Sequence, residues 1–124
     1  MLPTRLIIMR HAKSSWTDSN LNDHDRPLNP RGRKDAPRIY QALMEMDWLP
    51  DTVFLSSSKR TSETLSLMNM DRNEVKIEIK PSIYHASLEE LIIQLEHIEN
   101  NETTMILGHN PGSELLINYL IGEW

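Results

Sequence analysis

Leu6-Ile7-Ile8-Met9-Arg10-His11 is a short apolar run that closes on an arginine and a histidine. Four apolar residues in a row at this length read as a strand, Arg5 to Met9, with Arg10 and His11 presented at its carboxyl end. Arginine clamps phosphate oxygens with a planar fork of donors. Histidine can attack phosphorus, because its ordinary pKa of about 6.5 leaves a useful neutral fraction at neutral pH. The dipeptide alone proves little, so the argument turns on what the other strand ends deliver.

Outward from this strand, the pattern alternates strand and helix. Residues 12–28 lack periodicity and carry Ser, Asp, Asn and Pro, which predicts a long loop of the kind that often serves function. Asn29-Pro30 predicts an N-cap and first turn for a helix to about Met46, with Ala36, Ile39, Leu43 and Met46 on one face. Thr52–Leu55 is the second strand. The Ser56-Ser57-Ser58 cluster can cap a helix over Lys59–Met70. In the third strand, Val75–Ile79, apolar residues alternate with Lys76 and Glu78, which predicts an edge position or one solvated face. Ser87 and Glu90 form a capping-box pattern before a helix with Leu88, Leu91, Ile92, Leu95 and Ile98 on one face. Thr103–Leu107 is the fourth strand. In Gly108-His109-Asn110-Pro111-Gly112, Asn110 is the expected N-cap and Pro111 the first residue of a last helix to about Ile121. Met9, Met44, Met46, Met68 and Met70 are expected as core filler. This order predicts an α/β fold with a mainly parallel central sheet between helices, a three-layer α/β/α arrangement.

In such sheets ligands bind outside the carboxyl ends of the strands. Those ends carry Arg10-His11, Ser56 to Arg60, Tyr84-His85 and His109. Arg10 and Arg60 suit the nonbridging oxygens of a phosphoryl group and the charge of its transition state. One histidine can be the nucleophile, kept neutral by nearby arginines, while the other donates to an oxygen. The last helix would point backbone N–H groups at the same place. This chemistry asks for no cofactor and no metal. The one metal alternative, His24 with Asp23 and Asp25, is disfavoured by the adjacent Arg26 and by the absence of a paired-histidine spacing.

The 124 residues suit one domain, residues 1–124. With no cysteine there are neither disulfides nor thiolate metal sites, and a reducing, cytoplasmic setting is the natural expectation. No apolar run approaches the roughly 20 residues of a membrane span, and the N-terminal one is too short for a signal peptide. The net charge of −5 argues against nucleic acid as a partner. It hides an asymmetry: residues 1–60 balance at +3 and residues 61–124 at −8, so the basic side chains gather where the first two site segments lie.

Met9-Arg10-His11-Ala12-Lys13-Ser14 resembles the Arg-His-Ala-Lys-Ser signature of the SixA-type branch of the histidine phosphatase superfamily, which has the phosphoglycerate mutase-like fold. Asp25-Arg26-Pro27-Leu28-Asn29 with Arg31-Gly32, Ser56 to Thr64, Tyr84-His85-Ala86 and Gly108-His109-Asn110-Pro111-Gly112 are similar, in order, to the branch's other segments. The resemblance implies that His11 is the phosphorylated nucleophile and that Arg10, Arg60 and His109 complete the phosphate pocket. Arg26 is implied as a further phosphate or substrate contact, and Lys13, Ser14 and Asn110 stand in the same motifs as candidates for that role. The implied activity is metal-independent hydrolysis of phosphohistidine on a protein. A small-molecule phosphomonoesterase and a catalytically weak phosphoprotein-binding module are the alternatives. The oligomeric state is left open. Many relatives outside the branch carry a glutamate acid near Tyr84-His85, where this sequence has no acidic residue; His85 is a candidate proton donor on chemical grounds. Members of the branch usually continue past the Gly-His-Asn-Pro-Gly helix with a further strand and terminal segments, so by the resemblance this sequence is expected to be short at its C-terminus.

Overall fold

The apolar segments Arg5–Arg10 (β1), Thr52–Leu55 (β2), Lys76–Ile79 (β3) and Thr103–Gly108 (β4) pair in the order β1-β4-β2-β3 in a computed structural model, which describes residues 3–70 and 74–122. All three pairings are parallel. The central strands β2 and β4 are buried along their whole length, as expected when both sheet faces are covered. The expected edge position of the third strand holds. It starts at Lys76 rather than Val75.

Helices Pro30–Glu45 (α1), Lys59–Leu67 (α2), Leu88–Leu95 (α3) and Gly112–Ile121 (α4) cover the two faces. Right-handed crossovers tie each helix's face to the direction in which the chain steps across the sheet. From β1 to β2 and from β2 to β3 it steps one way, so α1 and α2 share a face; from β3 to β4 it steps back, so α3 takes the other. Two cores follow. Ala36, Leu43, Leu65 and Met68 pack on Val53, Leu55, Met105 and Leu107. Leu91, Leu116 and Ile83 pack on Phe54 and Ile106. Successive strand residues point to opposite faces, so Phe54 and Ile106 serve the second core while their neighbours serve the first.

Local chemistry sets the helix ends. The Asn29 side chain accepts the Gly32 N–H with Pro30 in the first turn, Ser58 accepts the Thr61 N–H, and Ser87 and Glu90 complete a reciprocal capping box. Three expectations need correction. First, α2 ends at Leu67, because Asn69 takes a left-handed conformation (φ 55°) that asparagine tolerates and that closes the helix before Met70. Second, on α1 the inward side chains are Ala36, Leu43 and a half-buried Tyr40; Ile39, Met44 and Met46 are exposed, so those two methionines are not core filler. Tyr40, one position on from Ile39, takes the inward place on the 3.6-residue turn. Third, α4 begins at Gly112 with Pro111 at the N-cap and no side-chain cap, so Asn110 does not serve that role. Among the described residues, no helix is long and apolar enough to cross a membrane.

Gly32 ties α1 to the segment after β1. A Cβ there would lie 2.2 Å from the Lys13 carbonyl oxygen and 2.9 Å from its nitrogen. Backbone atoms on both sides leave little room to relax. Gly32→Ala is therefore expected to cost about 2–3 kcal/mol, a fall in Tm of roughly 10 °C for a chain of this size. An unchanged Tm in a thermal melt would show that the loop yields freely.

Candidate active site

Parallel pairing assembles the first part of the site. The ladder runs past the strand ends: the His11 N–H donates to the Gly108 carbonyl at 3.0 Å, and the Ser56 N–H to the Leu107 carbonyl at 3.1 Å. His11 and His109 thus leave adjacent strands, with ring centroids 5.2 Å apart. Arg60 comes from the first turn of α2. One turn later, the Thr64 hydroxyl accepts the Ala12 N–H at 3.0 Å and donates to the Arg60 carbonyl at 2.7 Å, fastening the chain after His11 to that helix.

The His11 ring is held in one tautomer. Its Nδ1 lies 2.6 Å from the Ala12 carbonyl oxygen, which can only accept, so the proton is on Nδ1 and the lone pair on Nε2. Arg60 Nε donates to that lone pair at 3.2 Å. Burial lowers the His11 pKa, and the charges of Arg60, Arg10 and Arg26 lower it further against the opposing Ala12 carbonyl. The ring is a neutral imidazole with a nucleophilic Nε2.

His109 is buried, and its Nε2 lies 2.8 Å from the Ser56 hydroxyl. That hydroxyl accepts the Ser58 N–H at 3.3 Å. Among the described residues the Ser56 hydroxyl proton has no acceptor other than Nε2, which puts the imidazole proton on Nδ1. Nδ1 is buried without a hydrogen-bond partner in the protein. An unsatisfied buried donor is costly, and an acceptor oxygen of a bound anion is the partner that would relieve it. Burial brings the His109 pKa down to about 3, helped by the charge of Arg60.

Asp23 stands at the centre of this arrangement, and sequence reasoning missed it there. It lies in a single 3-10 turn, Asp23–Asp25, inside the long loop. Its Oδ2 accepts from Arg60 Nη2 at 2.9 Å and from the Tyr84 hydroxyl at 2.6 Å, and lies 3.0 Å from His85 Nε2. Its Oδ1 accepts from Arg26 Nε at 3.1 Å, and its backbone carbonyl accepts from Arg60 Nη1 at 2.6 Å. Desolvation opposes ionisation, yet the hydrogen bonds from Tyr84 and Arg60 and the charge of Arg60 hold its carboxyl well below the ordinary carboxylate range. Asp23 was considered in the sequence only as a cation ligand beside His24. The fold turns it toward the arginines instead, while His24 Nε2 sits 2.9 Å from the Ser57 hydroxyl. The signal open to sequence reasoning was the spacing of Asp23 three residues before Arg26, which suits an ion pair across one turn.

Arg10, His11, Lys13, Ser14, Trp16, Arg26 and Asn110 line one cavity of about 300 Å³. Arg60 and His109 are buried outside its lining. Arg10 and Lys13 are exposed, and among the described residues neither side chain makes an ion pair or hydrogen bond. The Ser14 hydroxyl accepts from Arg26 Nη1 at 2.8 Å, so it positions that arginine. Trp16, 76% exposed, lies 3.5 Å over the Arg26 guanidinium. The Asn110 amide donates to Glu114 at 3.2 Å. His85, in a left-handed conformation (φ 51°), stacks on Tyr84 at 4.1 Å and stands 5.9 Å from His109.

Residues 6–116 match the histidine phosphatase superfamily (branch 1). The chain is 38% identical over 131 residues to an uncharacterized chloroplastic protein of Arabidopsis thaliana, covering 95% of this chain and 59% of that one. It is 33% identical over 109 residues to an uncharacterized protein of Mycobacterium tuberculosis, covering 87% and 66%. The chain thus spans about six-tenths of the length of these curated relatives. Among solved structures, it resembles a candidate phosphohistidine phosphatase SixA of Agrobacterium tumefaciens, with a TM-score of 0.86 and 29% identity over 99% of this chain and 80% of that one.

Proposed function

The chain belongs to the histidine phosphatase superfamily (branch 1), and from that membership we propose that it hydrolyses phosphohistidine on a protein through a phosphohistidine intermediate on His11. The observation that carries this reading is the state of His11: Nδ1 tied to a carbonyl, Nε2 bearing the lone pair, the ring neutral, and four cationic side chains nearby in Arg10, Lys13, Arg26 and Arg60.

In the first step the substrate ring is protonated from water on its free nitrogen, Nε2 attacks phosphorus, and the N–P bond breaks with its electron pair going to the ring, which leaves as neutral imidazole. In the second, water attacks the phosphorus on His11 and releases inorganic phosphate. Arginines around the nonbridging oxygens stabilise the charge of both transition states. The His109 Nδ1 proton is a further donor, and no step needs a metal.

The leaving group favours an N–P substrate. An alkoxide needs a strong proton donor, whereas an imidazole leaves as a neutral or protonated ring. Asp23, the carboxylate beside Tyr84 and His85, is held ionised and has no proton to give. Trp16 and the exposed Lys13 at the cavity suit a polypeptide around the phosphorylated residue, because a fixed aromatic is a common anchor in protein recognition.

The test compares turnover of a phosphohistidine protein, a phosphoserine peptide and an aryl phosphate, with EDTA present. The expected order is phosphohistidine first by a wide margin. Aryl phosphate turnover without phosphohistidine turnover would point instead to a small-molecule phosphomonoesterase. No turnover of any substrate would point to a phosphoprotein-binding module.

A further inference from the structure

We propose that the Asp23 carboxylate is an internal counter-anion for the phosphate site: it holds Arg60 and His85 in the free protein and yields them to the incoming phosphoryl group. This rests on the proposed use of Arg60 as a phosphoryl ligand, and adds a residue that sets how tightly the site keeps an anion.

Arginine carries five N–H donors. Arg60 spends one on His11 Nε2 and two on Asp23, through the carboxylate and the backbone carbonyl. It is 3% exposed and does not line the cavity. Its Nε–H sits on the lone pair that must attack phosphorus. In this arrangement the His11 lone pair and three of the five Arg60 donors are occupied, while Arg10 and Lys13 stand open beside them. The Asp23 carboxylate accepts from two guanidinium groups and a phenol hydroxyl, and an imidazole nitrogen lies 3.0 Å from it. That is a donor set suited to a phosphoryl group, gathered instead on an internal anion.

The turn that carries Asp23 can let go at low cost. None of its three residues is buried. It is held by the contacts of Asp23 itself, the His24–Ser57 pair and the edge of the His24 ring against Tyr84 at 4.7 Å. Swinging it away uncovers no core, and phosphoryl oxygens take the place of Asp23 on Arg60 and beside His85. Exchange of one anion for another keeps the buried guanidinium paired throughout, which avoids the large cost of an unpaired buried charge. The competition also weakens binding of the product, so phosphate leaves.

The test measures inorganic phosphate binding by calorimetry in wild type and Asp23→Asn. Asparagine keeps the shape and removes the competing charge. The expected result is a Kd lower by about tenfold or more, the size that loss of one unit charge within a few ångströms of an anion produces at intermediate dielectric. An unchanged or raised Kd in a folded variant overturns the proposal and leaves Asp23 as a mere positioner of Arg60. A second measurement uses wild type: the Asp23 carboxyl carbon and the His85 ring are followed by NMR as inorganic phosphate is added. Both signals are expected to move along the same saturation curve. Saturable phosphate binding that leaves both unmoved overturns the exchange even if the variant does not fold. Failure of phosphohistidine turnover, with tighter phosphate binding in Asp23→Asn, would remove the proposed function and leave the exchange standing.

Discussion

His11→Ala is expected to lose on the order of four decades or more in kcat on a phosphohistidine protein, as enzymes do when the nucleophile itself is removed. The reason is specific to the ring's setting. His11 Nε2 carries an imidazole lone pair aimed at Arg60, and it is the ring whose other nitrogen is tied to a carbonyl. His109 cannot take over, because its Nε2 is engaged by Ser56 and its pKa lies at about 3. The alanine variant should stay folded, since the lost side chain is half-buried and its main partner is a backbone carbonyl. Two measurements check this. Single-turnover kinetics should show no burst. Rapid quench should trap an acid-labile, base-stable phosphoenzyme on wild type and none on the variant. Turnover within about tenfold of wild type, a barrier change of only about 1.4 kcal/mol, would place the nucleophile elsewhere.

The second large effect is on stability in acid. His109 takes up a proton near pH 6.5 in the unfolded chain but only near 3 in the folded one. Between these values the unfolded state binds more protons, so stability falls as pH falls. The contribution is whole above about pH 6.5, and the loss is complete below about pH 3. One pKa unit corresponds to about 1.4 kcal/mol, which bounds the loss from this residue at about 5 kcal/mol. His11 acts in the same direction because its pKa is also lowered. Asp23 acts separately and at lower pH, since a carboxyl held below its ordinary range loses its stabilising effect only as it protonates. Urea unfolding at several pH values between 7.5 and 4 should therefore show a steep decline in wild type. His109→Gln should flatten that decline whatever its effect at pH 7.5. Equal slopes would mean that His109 titrates in the folded protein as it does in the unfolded chain.

Much of the architecture was legible because it depends on local periodicity. The apolar runs at 6–9, 53–55 and 105–107 read as strands once the capped helices between them are recognised, the last two buried and the first a half-buried edge strand. Asn29, Ser58 and Ser87 cap the helices as expected, since the donors they satisfy lie two or three residues away. Errors came where local rules compete. Ile39 and Tyr40 both fall near the inward stripe of α1, and only packing against the sheet chooses Tyr40. Asn110 and Pro111 fit a standard helix start, yet the turn after His109 delays the helix to Gly112.

The sequence by itself determined the α/β class, the edge strand and the meeting of Arg10, His11, Arg60 and His109 at one end of the sheet. Parallel strands that alternate with helices leave little freedom about where their carboxyl ends go. Only the tertiary structure decided the tautomer of His11, the orphaned Nδ1 of His109 and the arrival of Asp23 on Arg60 and His85. The Asp23 contacts join residues 37 and 62 positions apart, carried by an aperiodic loop whose path no periodicity encodes. Burial supplies the physical reason that they matter: away from water, each charge and each proton must find a partner inside the protein.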